Sequence, residues 1–132
     1  MRFTTMTIVA LAVGAMSAPA LADEISIERG QHISIIGGCH DCHTEGYSES
    51  EGKIDPAKAL TGSSMGLRGP WGTTYPLNLR LDLKIMSEDR YVQYMMGLRT
   101  KPPMPWWNVR GMDEGELRSL TVTSNHSARQ AS

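Results

Sequence analysis

The chain has 132 residues, of which 40% are hydrophobic, with 13 glycines, 7 prolines and a net charge of −1 at pH 7. This length fits one small domain, and the balanced charge, without a basic stripe, excludes nucleic acid as a natural partner. The single phenylalanine is Phe3, so the chain is poor in large core-forming side chains. A small domain with this composition needs metals, disulfides or a ligand to complete its core. A sizeable cofactor is the first candidate.

Residues 1–22 have the organisation of an export signal. Arg2 provides a positive start, Thr7 to Met16 form an apolar segment, and Ala20 to Ala22 read small-x-small, as a cleavage site does. We therefore expect a signal peptide over residues 1–22 and export to the periplasm. The alternative is an uncleaved membrane anchor, which the threonines, the serine and the proline of this segment disfavour. Only in that case would the protein be attached to a membrane.

The first predicted helix extends from Ser26 to Ile36, and Gly30 within it would let a second helix approach closely. The helix leads into Cys39-His40-Asp41-Cys42-His43, which reads C-x-x-C-H. This is the attachment signature of a c-type haem. Two thiols at this spacing can form thioethers to the vinyl groups of one porphyrin, and the histidine that follows can become the proximal ligand of the iron. The motif therefore predicts three haem-binding residues: Cys39, Cys42 and His43.

Three other uses of the two cysteines are open. A structural zinc site needs a second pair of ligands, but the sequence has no further cysteine, and His32 and His126 are isolated. A thioredoxin-like dithiol needs strands that alternate with helices, which this glycine-rich chain does not show. A disulfide between cysteines this close would close almost no loop and would stabilise little. The haem interpretation is favoured over all three.

The middle of the chain is polar and rich in turns. Residues 44–55 are predicted to form a solvated acidic loop, and Asp55-Pro56 starts a short helical turn, with the aspartate as its cap. From Leu77 to Ile85 every second residue is apolar, which is the period of a strand. Because no second strand-like run is present to pair with this segment, we expect an extended loop there.

Two helices are predicted in the last third of the chain. One begins at Ser87, which is followed by two acids at the positive end of the helix dipole, and ends near Gly97. The other begins at Asp113, which forms a capping-box-like pair with Glu116. The residues from 121 onwards are β-branched and polar. We therefore expect a truncated or altered C-terminal helix, followed by a disordered tail over 121–132.

The sixth ligand of a haem iron decides whether the protein carries electrons or binds small ligands. Met104 is the best-placed candidate, because the prolines on either side of it exclude a helix and hold a stiff, extended loop. Methionines elsewhere are interpreted as fillers of irregular gaps around a core. If Met104 does not coordinate, the alternative is an open haem of peroxidase-like or gas-binding type. The remaining histidines are weaker candidates, since His126 lies in the tail and His32 and His40 are interpreted as surface residues.

Three features together resemble a class I c-type cytochrome, and more narrowly the small single-haem bacterial cytochromes that serve periplasmic dehydrogenases. They are the C-x-x-C-H motif with its preceding helix, the stretch from Gly69 to Tyr75, and the stretch from Pro102 to Trp106. The resemblance covers about Ser26 to Leu120. It implies an all-α fold wrapped around one covalently bound haem c, in a domain over residues 23–120, and points to Met104 as the second axial ligand.

The resemblance also implies supporting roles around the haem. Pro70, in a Gly-Pro turn, would offer its carbonyl to the second ring N–H of His43. Trp71, Tyr75 and Arg99 carry donors that can bind the haem propionates. The predicted haem-binding residues are thus Cys39, Cys42, His43, Met104, Pro70, Trp71, Tyr75 and Arg99, with His43 and Met104 as the iron ligands.

The expected function is the transfer of one electron by cycling between Fe(III) and Fe(II). It involves no bond chemistry, so the protein would not be an enzyme. Its partner would be another redox protein, a dehydrogenase or an oxidase. The chain would act as a monomer or as a subunit of such a complex.

Overall fold

The computed structural model describes residues 24–130, except for the side chains at 82–84, 128 and 130. The expected signal peptide over 1–22 lies outside the described residues. The described chain is mostly helical, which confirms the coarse all-α prediction, and it also contains a small antiparallel sheet. The helices are α1 (Ile27–Ile36), α2 (Cys39–His43), α3 (Leu79–Ile85), α4 (Glu88–Met96), α5 (Trp106–Arg110) and α6 (Glu114–Gln130), and the strands are β1 (Leu67–Gly69) and β2 (Gly72–Thr74).

Helices α1 and α6 cross at Gly30, where the sequence predicted the close approach of a second helix. A Cβ atom at this position would overlap the carbonyl oxygen of Ser119 and the hydroxyl of Thr123. The Thr123 hydroxyl also donates to the carbonyl of Ile27, at 2.9 Å. Only glycine therefore allows this close approach, which joins the start of the domain to its end.

The prediction of a truncated helix and a disordered tail is wrong over residues 121–130, because α6 continues to Gln130; residues 131 and 132 lie outside the described part. The helix-propensity penalty of each β-branched or polar residue is only a few tenths of a kcal/mol, and tertiary burial exceeds it here. Thr121 is fully buried, and its hydroxyl donates to the carbonyl of Leu117 at 2.8 Å. The hydroxyl of Thr121 is thus satisfied within α6, and that of Thr123 is satisfied by α1.

Two other helix starts confirm the local signals in the sequence. The Ser87 hydroxyl accepts the N–H of Arg90 and caps α4, which ends at Gly97. At the start of α6, the carboxylate of Asp113 accepts the N–H of Glu116 at 2.7 Å, and the Glu116 carboxylate accepts the N–H of Asp113 at 2.9 Å. This is the predicted capping box.

The segment from Leu77 to Ile85 is not the extended loop that we expected, because α3 begins at Leu79. The side-chain oxygen of Asn78 accepts the N–H of Arg80 at 3.0 Å, as a helix-capping residue does. The alternating pattern is compatible with a helix because its apolar residues serve different faces. Leu79 lines a cavity, whereas Leu81 and Ile85 are exposed.

A two-stranded hairpin, which the sequence analysis did not predict, contains the Gly-Pro turn. Strands β1 and β2 pair antiparallel, with Gly69 opposite Gly72, so Pro70 and Trp71 form the two-residue turn between them. Gly72 has φ 95°, a left-handed conformation that favours glycine. The turn carries Pro70 out to solvent, where it is exposed.

A small apolar cluster lies between α4, α5 and α6. It consists of four buried residues with partly buried side chains packed around them. The cluster comprises Val92, Leu98, Val109 and Leu117, with Met95, Met104, Trp106 and Met112 packed against it.

No helix within residues 24–130 combines the length and the apolar character needed to cross a membrane.

Candidate functional site

A cavity of about 540 Å³ opens between α2, the hairpin, α3 and the last three helices. Its volume falls within the range of small-molecule and cofactor sites, roughly 300–1,000 Å³. Most of the wall is apolar, from leucine, methionine, proline and valine side chains. Six of the eight predicted binding residues line it: Cys39, Cys42, His43, Tyr75, Arg99 and Met104.

The short helix α2 places both thiols on the wall of this cavity. Gly38 adopts a left-handed conformation, with φ 68°, that turns the chain from α1 into α2. Cys39 and Cys42 are three positions apart, so they share one face of the helix, and both are free thiols. Burial raises the pKa of Cys39 to about 11 and also raises the pKa of Cys42. A reactive dithiol needs a lowered thiol pKa, so these shifts disfavour the thioredoxin-like alternative.

The ring of His43 is buried and held in one orientation. Its Nδ1 lies 2.8 Å from the carbonyl oxygen of Leu77. A carbonyl oxygen only accepts, so Nδ1 carries the proton and the lone pair of the neutral ring is on Nε2. Burial lowers the pKa of His43, which favours this neutral form. The ring therefore has the protonation state that a metal-ligating histidine requires.

The acceptor for His43 is Leu77, so the prediction of Pro70 is wrong. The physical reason is that Pro70 lies in the exposed turn of the hairpin, whereas the chain on both sides of Leu77 is bonded to the segment 60–63. The N–H of Ser63 donates to the carbonyl of Pro76 at 3.2 Å, and the N–H of Leu79 donates to the carbonyl of Leu60 at 3.0 Å. A main-chain acceptor has no side-chain signature, so the sequence offered no direct signal for Leu77.

The segment 60–63 also contacts α2, which we call the attachment helix because it carries the C-x-x-C-H motif. The N–H of Gly62 donates to the carbonyl of His43 at 2.8 Å. A Cβ atom at Gly62 would lie 2.7 Å from the carbonyl oxygen of Pro76, and its φ of 89° is left-handed. The close packing of these three segments therefore requires glycine at position 62.

Met104 lies on the cavity wall in the loop before α5. Its carbonyl accepts the N–H of Trp106 at 2.9 Å, and the neighbouring carbonyl of Pro102 accepts the Thr74 hydroxyl at 3.1 Å. Its half-buried side chain packs against the apolar cluster. Met95 and Met112 also line the cavity, so the structure offers three thioethers, two of which the sequence analysis treated as fillers.

The mouth of the cavity carries two cations. Arg99 and Lys101 both line it and are exposed. The Arg99 guanidinium lies 5.4 Å from the ring centroid of Trp106, within cation–π distance. Tyr75 also lines the cavity and is 60% exposed. Lys101 was not predicted, although a second basic residue two positions after Arg99 was a visible signal.

Trp71 does not line the cavity, so the structure contradicts its predicted role there. Its ring lies over Gly69 at the hairpin turn, where a Cβ on that glycine would overlap it. The hairpin explains the displacement, since the two residues between paired strands point away from the domain. Of the two aromatic residues in the stretch from Gly69 to Tyr75, only Tyr75 therefore lines the cavity.

His40 is buried, with 4% exposure, so its interpretation as a surface residue is wrong. Its two ring nitrogens lie 3.0 Å from the hydroxyl oxygen of Ser34 and 2.7 Å from that of Thr44. Burial lowers its pKa. His32, in contrast, is exposed, as expected. The sequence did not show the difference because the partners of His40 are ordinary hydroxyl residues.

The donor set of the cavity fits a haem. Among the side chains that the structure describes, no three His, Cys, Asp or Glu residues come together as a metal site, which a structural zinc ion would need. A haem brings its own equatorial nitrogens and takes from the protein only axial ligands and, in the c type, two thioethers. Two thiols, an imidazole with a free Nε2 and a thioether meet that smaller demand.

Comparisons with protein-family models, curated proteins and solved structures give no match for this chain. We therefore infer the function from the residues of the cavity themselves.

Proposed function

We propose that the protein is a single-haem c-type cytochrome that carries one electron between redox partners. The observation that supports this is one apolar cavity, lined by both cysteines and the histidine of the C-x-x-C-H motif together with Met104. These groups come from parts of the chain some 60 residues apart. They correspond to the covalent attachment points and the two axial ligands that such a carrier needs.

When bound, the haem supplies a one-electron Fe(III)/Fe(II) couple. The chain's own residues hold and tune it. His43 would offer Nε2 to the iron while the Leu77 carbonyl accepts its Nδ1–H, and Met104 would offer its thioether. The apolar walls limit the access of water, and the cations of Arg99 and Lys101 at the mouth suit the propionates.

In this proposal both thiols and His43 are committed to holding the haem, so the protein acts as a carrier rather than an enzyme. Its partner is a dehydrogenase or an oxidase, and the chain works as a monomer or as a subunit of that complex. The proposed signal over residues 1–22 directs it to the periplasm, where thioether attachment takes place.

The first test is covalent retention of haem. Protein matured in a bacterial periplasm should keep its haem after acid–acetone extraction and show the visible spectrum of a c-type cytochrome. The double variant Cys39→Ala/Cys42→Ala should retain no haem after the extraction, since no thioether can form. A wild-type protein that releases all its haem on extraction would refute the proposal.

The second test identifies the distal ligand with matched methionine variants. Met104→Ala should lose the near-infrared sulfur-to-iron band and bind carbon monoxide rapidly when reduced. Met95 and Met112 line the same cavity, and the variants Met95→Ala and Met112→Ala should keep the band. Rapid carbon monoxide binding by the reduced wild type would instead support the open-haem alternative.

A further inference from the structure

A chain of buried hydrogen bonds lies behind the attachment helix. The Ser34 hydroxyl donates to the carbonyl of Gln31 at 2.7 Å, so its oxygen can only accept from the nearby ring nitrogen, Nε2 of His40, at 3.0 Å. Nε2 therefore carries the proton. In the neutral ring Nδ1 then accepts, and its donor is the hydroxyl of Thr44, at 2.7 Å. All three side chains are at most 4% exposed. We call Ser34, His40 and Thr44 the His40 relay.

The relay continues into the main chain and returns to the cavity. With its proton donated to His40, the Thr44 oxygen accepts the N–H of Leu60 at 2.9 Å. The carbonyl of Leu60 in turn accepts the N–H of Leu79. Leu79 is two residues from Leu77, whose carbonyl accepts from His43 Nδ1. The path thus begins beside His43, at Thr44, and ends on the acceptor of the His43 ring.

We infer that Thr44 and His40 are positioning residues for His43, which hold the Leu77 carbonyl at the distance and angle that fix the proximal imidazole. The inference depends on the proposed function, because it assigns a role to the relay only if His43 is the iron ligand. Neither residue touches the iron in this arrangement; both act through Leu60 and the segment that contains Leu77.

The physical basis is that only one assignment of protons satisfies the whole path. Removing the Thr44 hydroxyl leaves two buried groups unpaired, the N–H of Leu60 and the Nδ1 of His40, and an unpaired buried polar group is costly. The segment 60–63 then loses one of its two hydrogen bonds to residues 43 and 44, while the N–H of Gly62 still donates to the carbonyl of His43. The Leu77 carbonyl loosens as a result. A weaker hydrogen bond to Nδ1–H makes the imidazole less basic, so it stabilises the ferric state less.

The test compares Thr44→Val with Thr121→Val in the haem-loaded protein. Both variants delete a buried, hydrogen-bonded hydroxyl without changing the shape of the side chain, but Thr121 lies in α6 and bonds only within that helix. Thr44→Val should speed hydrogen exchange of the His43 Nδ1 proton by about tenfold or more, the factor that corresponds to ~1.4 kcal/mol, and should raise the reduction potential. Thr121→Val should change neither, although it lowers stability.

Two further variants complete the design. Thr44→Ser keeps the hydroxyl and should restore wild-type exchange and potential, while His40→Phe should reproduce the effect of Thr44→Val. Wild-type exchange in Thr44→Val, or failure of Thr44→Ser to restore it, would overturn the inference. Either result, obtained on protein that retains its haem, leaves the proposed function standing. A wild type without covalent haem would refute the proposed function instead.

Discussion

The two sides of the cavity are held by different forces. On the attachment side, buried polar groups form a continuous path of hydrogen bonds through the His40 relay to the Leu77 carbonyl. On the Met104 side, that residue lies in a proline-rich loop and its side chain packs on the apolar cluster. Hydrogen bonds are directional and packing is not. The difference suits the two proposed ligands, because an imidazole needs a fixed ring orientation, whereas a flexible thioether adapts to its surroundings.

The largest expected effect comes from separating the attachment side from the rest of the domain. Gly30→Val should lower the free energy of unfolding by about 3 kcal/mol or more, since its side chain would overlap the Ser119 carbonyl across the α1–α6 crossing. Urea unfolding measures this. Gly97→Ala is the control, because its Cβ would be 3.7 Å from the nearest carbonyl oxygen, and it should be neutral or slightly stabilising. Wild-type stability of Gly30→Val would show that the crossing is looser than described.

A second substitution should affect the Met104 side alone. Leu117 is 1% exposed at the centre of the apolar cluster, and Leu117→Ala should cost about 2–3 kcal/mol through the cavity that it leaves. Because Met104 rests on this cluster, the reduced variant should bind carbon monoxide faster than the wild type while exchange of the His43 Nδ1 proton stays unchanged. Leu81→Ala, at an exposed position, should change neither rate. Equal effects on both sides would contradict the division between them.

The smallest effect is a dependence of stability on pH that comes from the attachment side. Burial lowers the pKa of His40 below its ordinary value of 6.5. As the pH falls below 6.5, the unfolded chain therefore takes up a proton that the folded chain does not, and the free energy of unfolding decreases. His40→Gln should remove this part of the slope between pH 7.5 and 5, measured by urea unfolding. His32→Gln, at an exposed histidine, should keep it, and an unchanged slope in His40→Gln would count against the buried neutral ring.

Local signals in the sequence predicted local structure well. Ser87 and the pair Asp113–Glu116 cap their helices as expected, because a cap needs only side chains within three residues of the N–H groups it satisfies. Gly30 also behaved as predicted. The C-x-x-C-H motif places its thiols on one face because that follows from its own helical spacing.

Most of the errors concern strand pairing or burial that the local pattern of side chains does not reveal. Pro70 and Trp71 lie in the turn of the hairpin and do not line the cavity. The acceptor for His43 is a main-chain carbonyl, which no side-chain pattern in the sequence indicates. The alternating segment became α3 because its residues meet different environments around the cavity. The end of α6 was judged by propensity, whereas burial of its hydroxyls against α1 decides its conformation.

The crossing of α1 and α6 has a mechanical consequence. Small residues recur along α6 at steps of four, at Gly115, Ser119, Thr123 and Ser127, so sliding α6 by one step, about 6 Å, would again present a small side chain to Gly30. Two side-chain contacts select a single register: the Thr123 hydroxyl on the Ile27 carbonyl and the ion pair of Arg29 with Asp113. Since Leu120 and Ser124 of the same helix line the cavity, the two contacts that fix this register also set the shape of the space available to the ligand.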